Sequence, residues 1–267
     1  MASRIGKLTS FRDRRVLITG ASSGIGRALA RALADQGARI ALVARREHEL
    51  EALAEEIRSR GGEASFAVAD LAERSEAERA CNELLKAFGG IDILVNNAGY
   101  GHHRRFLDWD VDDMERMMRV NYLGSLYVTK ALVPQMVERG EGWLVFIASV
   151  AGKIAPPDES AYAASKFAMV GLAESISLEL EEHGIHTLTV CPGAIRTPFF
   201  DAEALERMPP VAKKSMVSVD SLIEKIVRAM QRGDHELTHP AFIRAGYVVR
   251  DLAPAFMRRQ VRRTTMK

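Results

Sequence analysis

The chain has 267 residues, 47% hydrophobic and 27% charged, with 37 basic against 35 acidic side chains and a formal net charge of +2. That suits a globular protein with a substantial core and gives no global case for a nucleic-acid partner. Two cysteines, Cys81 and Cys191, match neither a disulfide framework nor a metal spacing.

From the N-terminus, "MASRIGKLTSFRDRR" is basic but lacks the apolar centre of a secretory signal, and no apolar run approaches the length of a membrane span. A cytoplasmic setting is therefore the expectation. Apolar β-rich runs then alternate with amphipathic stretches. "RVLIT" precedes a helix through "GRALARALADQG", "RIALVA" precedes "EHELEALAEEIRSRGG", and "SFAVA" precedes "SEAERACNELLKAFGG". "IDILVN" leads into a longer helical region reaching about Val137, followed by "WLVFIAS", a helix holding Tyr162, and "HTLTVC". Strands apolar nearly throughout, each separated by a helix, predict a parallel sheet covered on both faces. The fold class is α/β, a doubly wound Rossmann-type sheet, and no composition shift or repeat divides residues 1–267 into more than one domain.

Ligands in such sheets bind at the C-terminal strand ends. The first end is "ITGASSGIG", with Gly20, Gly24 and Gly26. Glycines allow a tight strand-to-helix turn, and free amides at the helix start attract a diphosphate. Ser22 stands where the common G-x-G-x-x-G pattern has its second glycine, and no lysine supports a triphosphate loop.

"TGASSGIG" resembles the cofactor loop of the classical short-chain dehydrogenase/reductase family, and the likeness continues along the chain. "NNAG" at Asn96 to Gly99 follows the fourth strand, Asn121 lies in the next helix, Ser149 ends the fifth strand, Tyr162 and Lys166 follow, and "CPGAIRTP" succeeds the sixth strand. The resemblance implies a nicotinamide cofactor contacted by Gly20, Ser22, Ser23, Gly24, Ile25 and Gly26. Further contacts fall to Asp70, Asn97, Ala98, Gly99, Pro192, Gly193 and Thr197, with Asp70 on the adenine. It also implies that Lys166 holds the nicotinamide ribose, that Ser149 binds the substrate oxygen, and that Asn121 completes a proton relay through water. Family members commonly pair through the helices carrying Asn121 and Tyr162, so a homodimer or homotetramer is expected.

The chemistry stands beside the likeness. Reducing a carbonyl needs a hydride donor and a proton donor to the developing alkoxide. Tyr162 and Lys166 are four positions apart on one helix face, and the expectation is that the ammonium draws the phenol's pKa towards neutrality. A carboxylate at the end of the second strand would favour NAD, but Ala44 stands there with Arg45 and Arg46 next. Guanidinium groups suit a 2′-phosphate, so NADPH/NADP is expected, with Arg45 as the main contact and Ser22 or Ser23 assisting.

The function expected is an NADPH-dependent carbonyl reductase acting on a small-molecule substrate. Oxidative NAD(P)-dependent alcohol or hydroxysteroid dehydrogenase, 3-oxoacyl reductase, and a silent dinucleotide sensor or scaffold remain alternatives. Residues from about 198 to 217 sit where the family carries its substrate lid, and Phe199, Phe200, Leu205 and Met208 give that segment an apolar face suited to a hydrophobic ketone or aldehyde. The run His102 to Arg105 reads as a solvated loop or as a site for an anionic substrate. His183 with His186, and His235 with His239, have no convincing metal spacing, so no metal is expected.

The C-terminal extension, about 240–267, joins an apolar stretch to the basic run from Arg258 to Lys267, without which the chain's net charge would be −3. Two readings stay open for it. Its apolar side chains pack on the cleft or a neighbouring subunit, or they contact a membrane surface peripherally while the basic residues meet anionic headgroups.

Overall fold

The computed structural model describes residues 6–200, 205–206, 208 and 210–265. Residues 1–5 of the basic N-terminal segment, lid positions 201–204, 207 and 209, and the terminal 266–267 lie outside the described residues.

Seven runs of β-rich sequence form one parallel sheet. They are β1 (Arg15–Thr19), β2 (Arg39–Ala44), β3 (Glu63–Val68), β4 (Ile93–Asn96), β5 (Gly142–Ile147), β6 (Ile185–Pro192) and, after two short strands, β9 (Glu236–His239). The spatial order is β3-β2-β1-β4-β5-β6-β9. Between them run α1 (Gly24–Ala34), α2 (Glu47–Ser59), α3 (Arg74–Phe88), α4 (Val111–Met118), α5 (Gly124–Arg139) and α6 (Ser160–Glu181). A π-turn, Arg119–Leu123, joins α4 to α5, so Asn121 sits in a widened turn of the predicted long helix.

The alternation of side chains along each strand builds two cores. Val16 and Ile18 of β1, with Val145 and Ile147 of β5, face a layer completed by Leu29 and Leu33 of α1 and Leu50 and Leu53 of α2. Leu17 of β1, with Leu144 and Phe146 of β5, faces the opposite layer, completed by Leu84 of α3, Leu132 of α5 and Met169 of α6. Strands covered on both sides need no polar face, which explains the nearly continuous apolar runs.

Beyond β6 the chain forms β7 (Ile195–Arg196), α7 (Pro210–Lys214), β8 (Val217–Ser218), α8 (Val219–Arg232), then β9, α9 (Arg244–Leu252) and α10 (Pro254–Thr265). β7 pairs with β8 in a small parallel ribbon. Helix α8 buries Leu222, Ile223, Ile226 and Met230 in the first core layer. Among the described residues no helix is long and apolar enough to cross a membrane.

At the sheet's other end, Arg15 donates to Asp92 through Nε at 2.9 Å, tying β1 to the start of β4. Burial pushes the Asp92 carboxyl up, but Arg15 outweighs it and holds that carboxyl below the usual carboxylate value. Nearby, Gly184 turns the chain from α6 into β6 with φ +73°, and an added β-carbon would run into the Gly140 carbonyl oxygen. A positive φ alone costs an L-residue roughly 1–2 kcal/mol. Gly184→Ala should lower the melting temperature by about 5 °C or more, measured by thermal unfolding.

Candidate active site

The chain order reverses between β1 and β4, and the crevice opens at their C-terminal ends, as expected of a doubly wound sheet. A cleft of about 780 Å3 occupies it. Its floor is cross-braced. Thr19 Oγ1 donates to the Val95 carbonyl at 3.2 Å and accepts from the amides of Asn97 at 2.9 Å and Ala98 at 3.0 Å. Asn97 Nδ2 donates to the carbonyls of Thr19 at 2.8 Å and Gly20 at 3.2 Å.

This brace dictates two glycines. A β-carbon on Gly26 would lie 2.5 Å from Asn97 Nδ2, and Gly20, at φ +64°, would press one to 2.7 Å from the Ala98 Cα. Gly26 therefore packs behind the loop, while Gly20, Ser22, Ser23, Gly24 and Ile25 line the cleft. Helix α1 starts there with no side-chain cap on its amides and no acidic residue in its first turn, which leaves its positive end facing the cleft. Asn97 lines the same wall, but its amide nitrogen is spent on the loop, so its main contribution is to position that loop.

One end of the cleft lies beside β2 and β3. Arg45 and Arg46 both line the cleft. Arg46 donates to Ser22 Oγ through Nη2 at 2.9 Å and Nε at 3.2 Å, linking the β2 end to the glycine loop. Asp70 is at the wall with both oxygens engaged, Oδ1 by the Ala72 amide at 3.0 Å and Oδ2 by Arg116 at 2.6 Å. Burial raises its pKa, and these donors outweigh burial to leave it below the ordinary carboxylate value.

At the centre stand Ser149, Tyr162 and Lys166, with Ala98 and Gly99 opposite and Pro192, Gly193 and Thr197 closing the far side. Ser149 follows β5, accepts from the Ala151 amide at 3.1 Å, and its hydroxyl favours the ionised form of the Tyr162 phenol. Lys166 is buried, donates to the Ile147 carbonyl at 2.8 Å, and places Nζ 5.7 Å from the Tyr162 ring centre. Asn121 lies behind this group and does not line the cleft. Its Oδ1 accepts from the Tyr100 amide at 3.0 Å, and its Nδ2 donates to the Tyr100 carbonyl and to Ser165 Oγ, each at 2.9 Å. With its side chain committed, any part in a proton relay falls to its main-chain carbonyl, which also accepts from Ser125 Oγ.

One expectation is corrected. The protein holds the Tyr162 phenol above its ordinary pKa, because burial disfavours tyrosinate more than the Ser149 hydrogen bond favours it. Lys166 does not reverse this. Its own ammonium is pulled down to about 8 by the same burial. Helical spacing brings the two together, but the desolvation they share dominates their titration.

The wall around Tyr162 shows what spacing could not. Phe199, Phe200 and Met208 line it as expected, while Leu205 is exposed and does not. Phe199 packs on the Tyr162 ring with centroids 5.5 Å apart. Ile154, Pro156 and Ile243 join this wall from segments that carried no motif. His103 is no solvated residue, since its Nδ1 lies 3.1 Å from Glu159 Oε1 and its ring stacks on Phe200. Glu159 puts a carboxylate at the cleft wall, which argues against an anionic group binding there. Arg104 is taken up by Asp113 at 3.1 Å and by the Trp109 ring. His186 is buried against Trp143 with Nε2 3.1 Å from the Asp234 carbonyl oxygen, and His239 lies 3.1 Å from Ser221 Oγ. Among the described residues no group of three or more His, Cys, Asp or Glu side chains is arranged to hold a metal.

Comparison with known proteins gives a consistent picture. The family described as short chain dehydrogenase matches residues 14–207. The oxidoreductase UcpA of Escherichia coli (strain K12) is 39% identical over 206 residues, which make up 77% of this chain and 77% of that protein. A Drosophila melanogaster dehydrogenase/reductase SDR family protein 7-like is 35% identical over 251 residues, 90% of this chain and 77% of its own. A solved short chain dehydrogenase/reductase from Burkholderia phymatum, in complex with NAD, superposes with a TM-score of 0.84 at 25% identity, covering 93% of this chain and 96% of that one.

The buried lysine makes stability depend on pH. Between pH 8 and 10 the unfolded chain keeps the Lys166 proton that the folded chain releases, so this group makes stability rise with pH across that window. The buried thiols of Cys81 and Cys191, each pushed up to about 12, oppose the rise from about pH 9, and Tyr162 opposes it above about pH 10, because these groups ionise in the unfolded chain first. The stability difference between the wild type and Lys166→Met should therefore shift in favour of the wild type by on the order of 2 kcal/mol from pH 8 to 10, read from the urea midpoints of both proteins across pH.

Proposed function

The chain belongs to the short-chain dehydrogenase/reductase family, and from that premise we propose that it reduces the carbonyl of a hydrophobic ketone or aldehyde with NADPH. The observation that carries the reading is the convergence of Ser149, Tyr162 and Lys166 on one cleft with the open start of α1. The residues fit a dinucleotide. The glycine loop admits close backbone approach, and the uncapped amides at the start of α1 suit a diphosphate. When bound, the nicotinamide cofactor supplies the hydride.

The protein's groups manage the oxygen and the proton. Ser149 and Tyr162 hydroxyls hold the substrate oxygen, which orients its carbonyl carbon for hydride addition. As the C=O bond becomes C–O, the Tyr162 O–H donates its proton to the oxygen and the product is the alcohol. A raised phenol pKa suits this direction, since Tyr162 stays protonated over the neutral range and the developing alkoxide is far more basic than any phenol. Lys166, anchored to Ile147, has further N–H donors for ribose hydroxyls and lies close enough to Tyr162 to offset charge left on the phenolate. Phe199, Phe200, Met208, Ile154 and Ile243 exclude water from the substrate end and favour an apolar substrate.

Preference for NADPH rests on the β2 end, where no carboxylate replaces Ala44 and two guanidinium groups border the cleft. The Arg46 to Ser22 hydrogen bonds give Arg46 at least an equal share with Arg45 in binding a 2′-phosphate. A homodimer or homotetramer is part of the proposal, supported by Leu178 at 77% exposure and Phe167 at 39% on α6. Sedimentation equilibrium measures it directly.

Following nicotinamide absorbance over a carbonyl panel tests the activity. Tyr162→Phe should lower turnover by at least about 100-fold while NADPH affinity changes by less than about threefold. A near wild-type rate in that variant would remove the assigned proton donor. Retained NADPH binding with no turnover of any compound by the wild type would favour a silent dinucleotide sensor. Arg45→Ala with Arg46→Ala should cut kcat/KM for NADPH by roughly 100-fold and leave NADH within a few-fold, as loss of charge-assisted hydrogen bonds predicts. Equal losses with both cofactors would contradict phosphate recognition.

A further inference from the structure

Helices α9 and α10 lie outside the matched span, residues 14–207, and their outer surface differs from the rest of the molecule. Elsewhere most arginines are paired: Arg15, Arg27, Arg39, Arg116 and Arg228 each meet a carboxylate. On α10, Arg258, Arg259, Arg262 and Arg263 are exposed. None of the ion pairs among the described residues involves them. Across residues 254–263 of this helix, Met257, Gln260 and Val261 are the partly buried positions. At 100° per residue these three fall on one side and the four arginines on the other, so the arginine face points to solvent.

Beside it runs an apolar strip. Phe242 is 62% exposed, Val248 56%, Leu252 82% and Phe256 55%. Val248 and Leu252 are one helical turn apart on α9, and Phe256 lies in the first turn of α10. The strip is held in place from beneath, since Arg250 donates to the Lys153 carbonyl and Ile243 lines the cleft wall. Asp251 is the acidic residue of this region, and Arg250 neutralises it at 2.9 Å.

We propose that the outer face of α9 and α10 is a docking surface for an anionic lipid bilayer, with Phe242, Val248, Leu252 and Phe256 entering the interfacial region and Arg258, Arg259, Arg262 and Arg263 meeting the headgroups. Both halves of the surface are needed for this choice. Unpaired arginines gain from any polyanion, but only a lipid interface also removes the neighbouring apolar side chains from water. Nucleic acid would leave that strip exposed. The placement beside the Ile243 wall puts the surface next to the substrate end of the cleft.

The test uses the full chain and sedimentation with vesicles, a readout of docking that does not depend on carbonyl reduction. Vesicles of phosphatidylcholine with 30% phosphatidylserine should carry the protein down at low salt, and pure phosphatidylcholine should bind it at least about tenfold less. Raising salt to about 0.5 M should release it, as screening of headgroup attraction requires. Changing Arg258, Arg259, Arg262 and Arg263 to Gln should lower the partition coefficient by about 100-fold or more, and Leu252→Asp with Phe256→Asp should do so without removing any basic residue. Unchanged melting temperature and sedimentation mass in these variants keep the result assigned to the surface. Absence of binding to the anionic vesicles at low salt, or equal binding to both vesicle types, would overturn the proposal. So would a fall in oligomer mass in the Leu252 and Phe256 variant without lipid, which would assign the strip to a subunit interface. The salt and lipid comparisons use the wild-type chain and decide the matter even if a variant fails to fold.

Discussion

The Thr19 and Asn97 brace is the constraint on which the cleft depends. Parallel strands β1 and β4 end side by side, and their last carbonyls and amides have no further strand partners, so the chain satisfies them with one hydroxyl and one carboxamide. Because Asn97 must reach under the loop to the Gly20 carbonyl, helix α1 has to begin close above it. Gly26 leaves room for that approach and Gly20 supplies the left-handed turn. The positive end of α1 is then fixed at the crevice between the strands. An asparagine that reads as a ligand contact in sequence thus works mainly as the tie that shapes the cleft floor.

The centre of the site shows burial deciding against simple electrostatics. A phenol and an ammonium four residues apart invite the reading that each stabilises the charged form of the other. Enclosure by Phe199, Gly101 and the end of β5 instead raises the phenol and lowers the amine, so both tend towards neutrality. For a proton donor that outcome is workable, since the acid has to be present as the acid. Asn121 supports the same geometry at one remove. By clamping both main-chain groups of Tyr100 it fixes the segment from Gly99 to Gly101 against Lys166 and Tyr162, and the widened π-turn is the local departure from regular helix in which it sits.

The two arginines after β2 divide their surroundings unequally. Arg46 is drawn to Ser22, whereas Arg45 lies near enough to Asp70 to favour its ionised form. Asp70 is itself committed to Arg116 and to the turn before α3. That end of the cleft is therefore a network spanning β1, β2, β3 and α4. At the other end, the carboxylate of Glu159 beside His103 gives an otherwise apolar wall a polar corner.

Much of this was legible in the sequence. Apolar runs separated by amphipathic ones dictated a parallel sheet, because a strand with helices on both faces has no side left for polar residues. Strand ends could be counted, so the glycine loop, Asn97 to Gly99, Ser149 and Pro192 to Gly193 were all assigned to one edge of that sheet, where the structure gathers them. Helical spacing likewise placed Tyr162 and Lys166 on one face. What tertiary structure alone decided were the properties set by contacts between segments far apart in the chain. Leu205 reads as a neighbour of Phe199 and Phe200 but does not line the cleft, while Ile154 and Ile243 reach it with no local pattern to announce them. His103 met Glu159 across 56 positions. Periodicity records which face of an element is apolar; which groups meet across elements, and how much water they lose in meeting, is set by packing in three dimensions, and that loss of water fixed the titration of Tyr162 and Lys166.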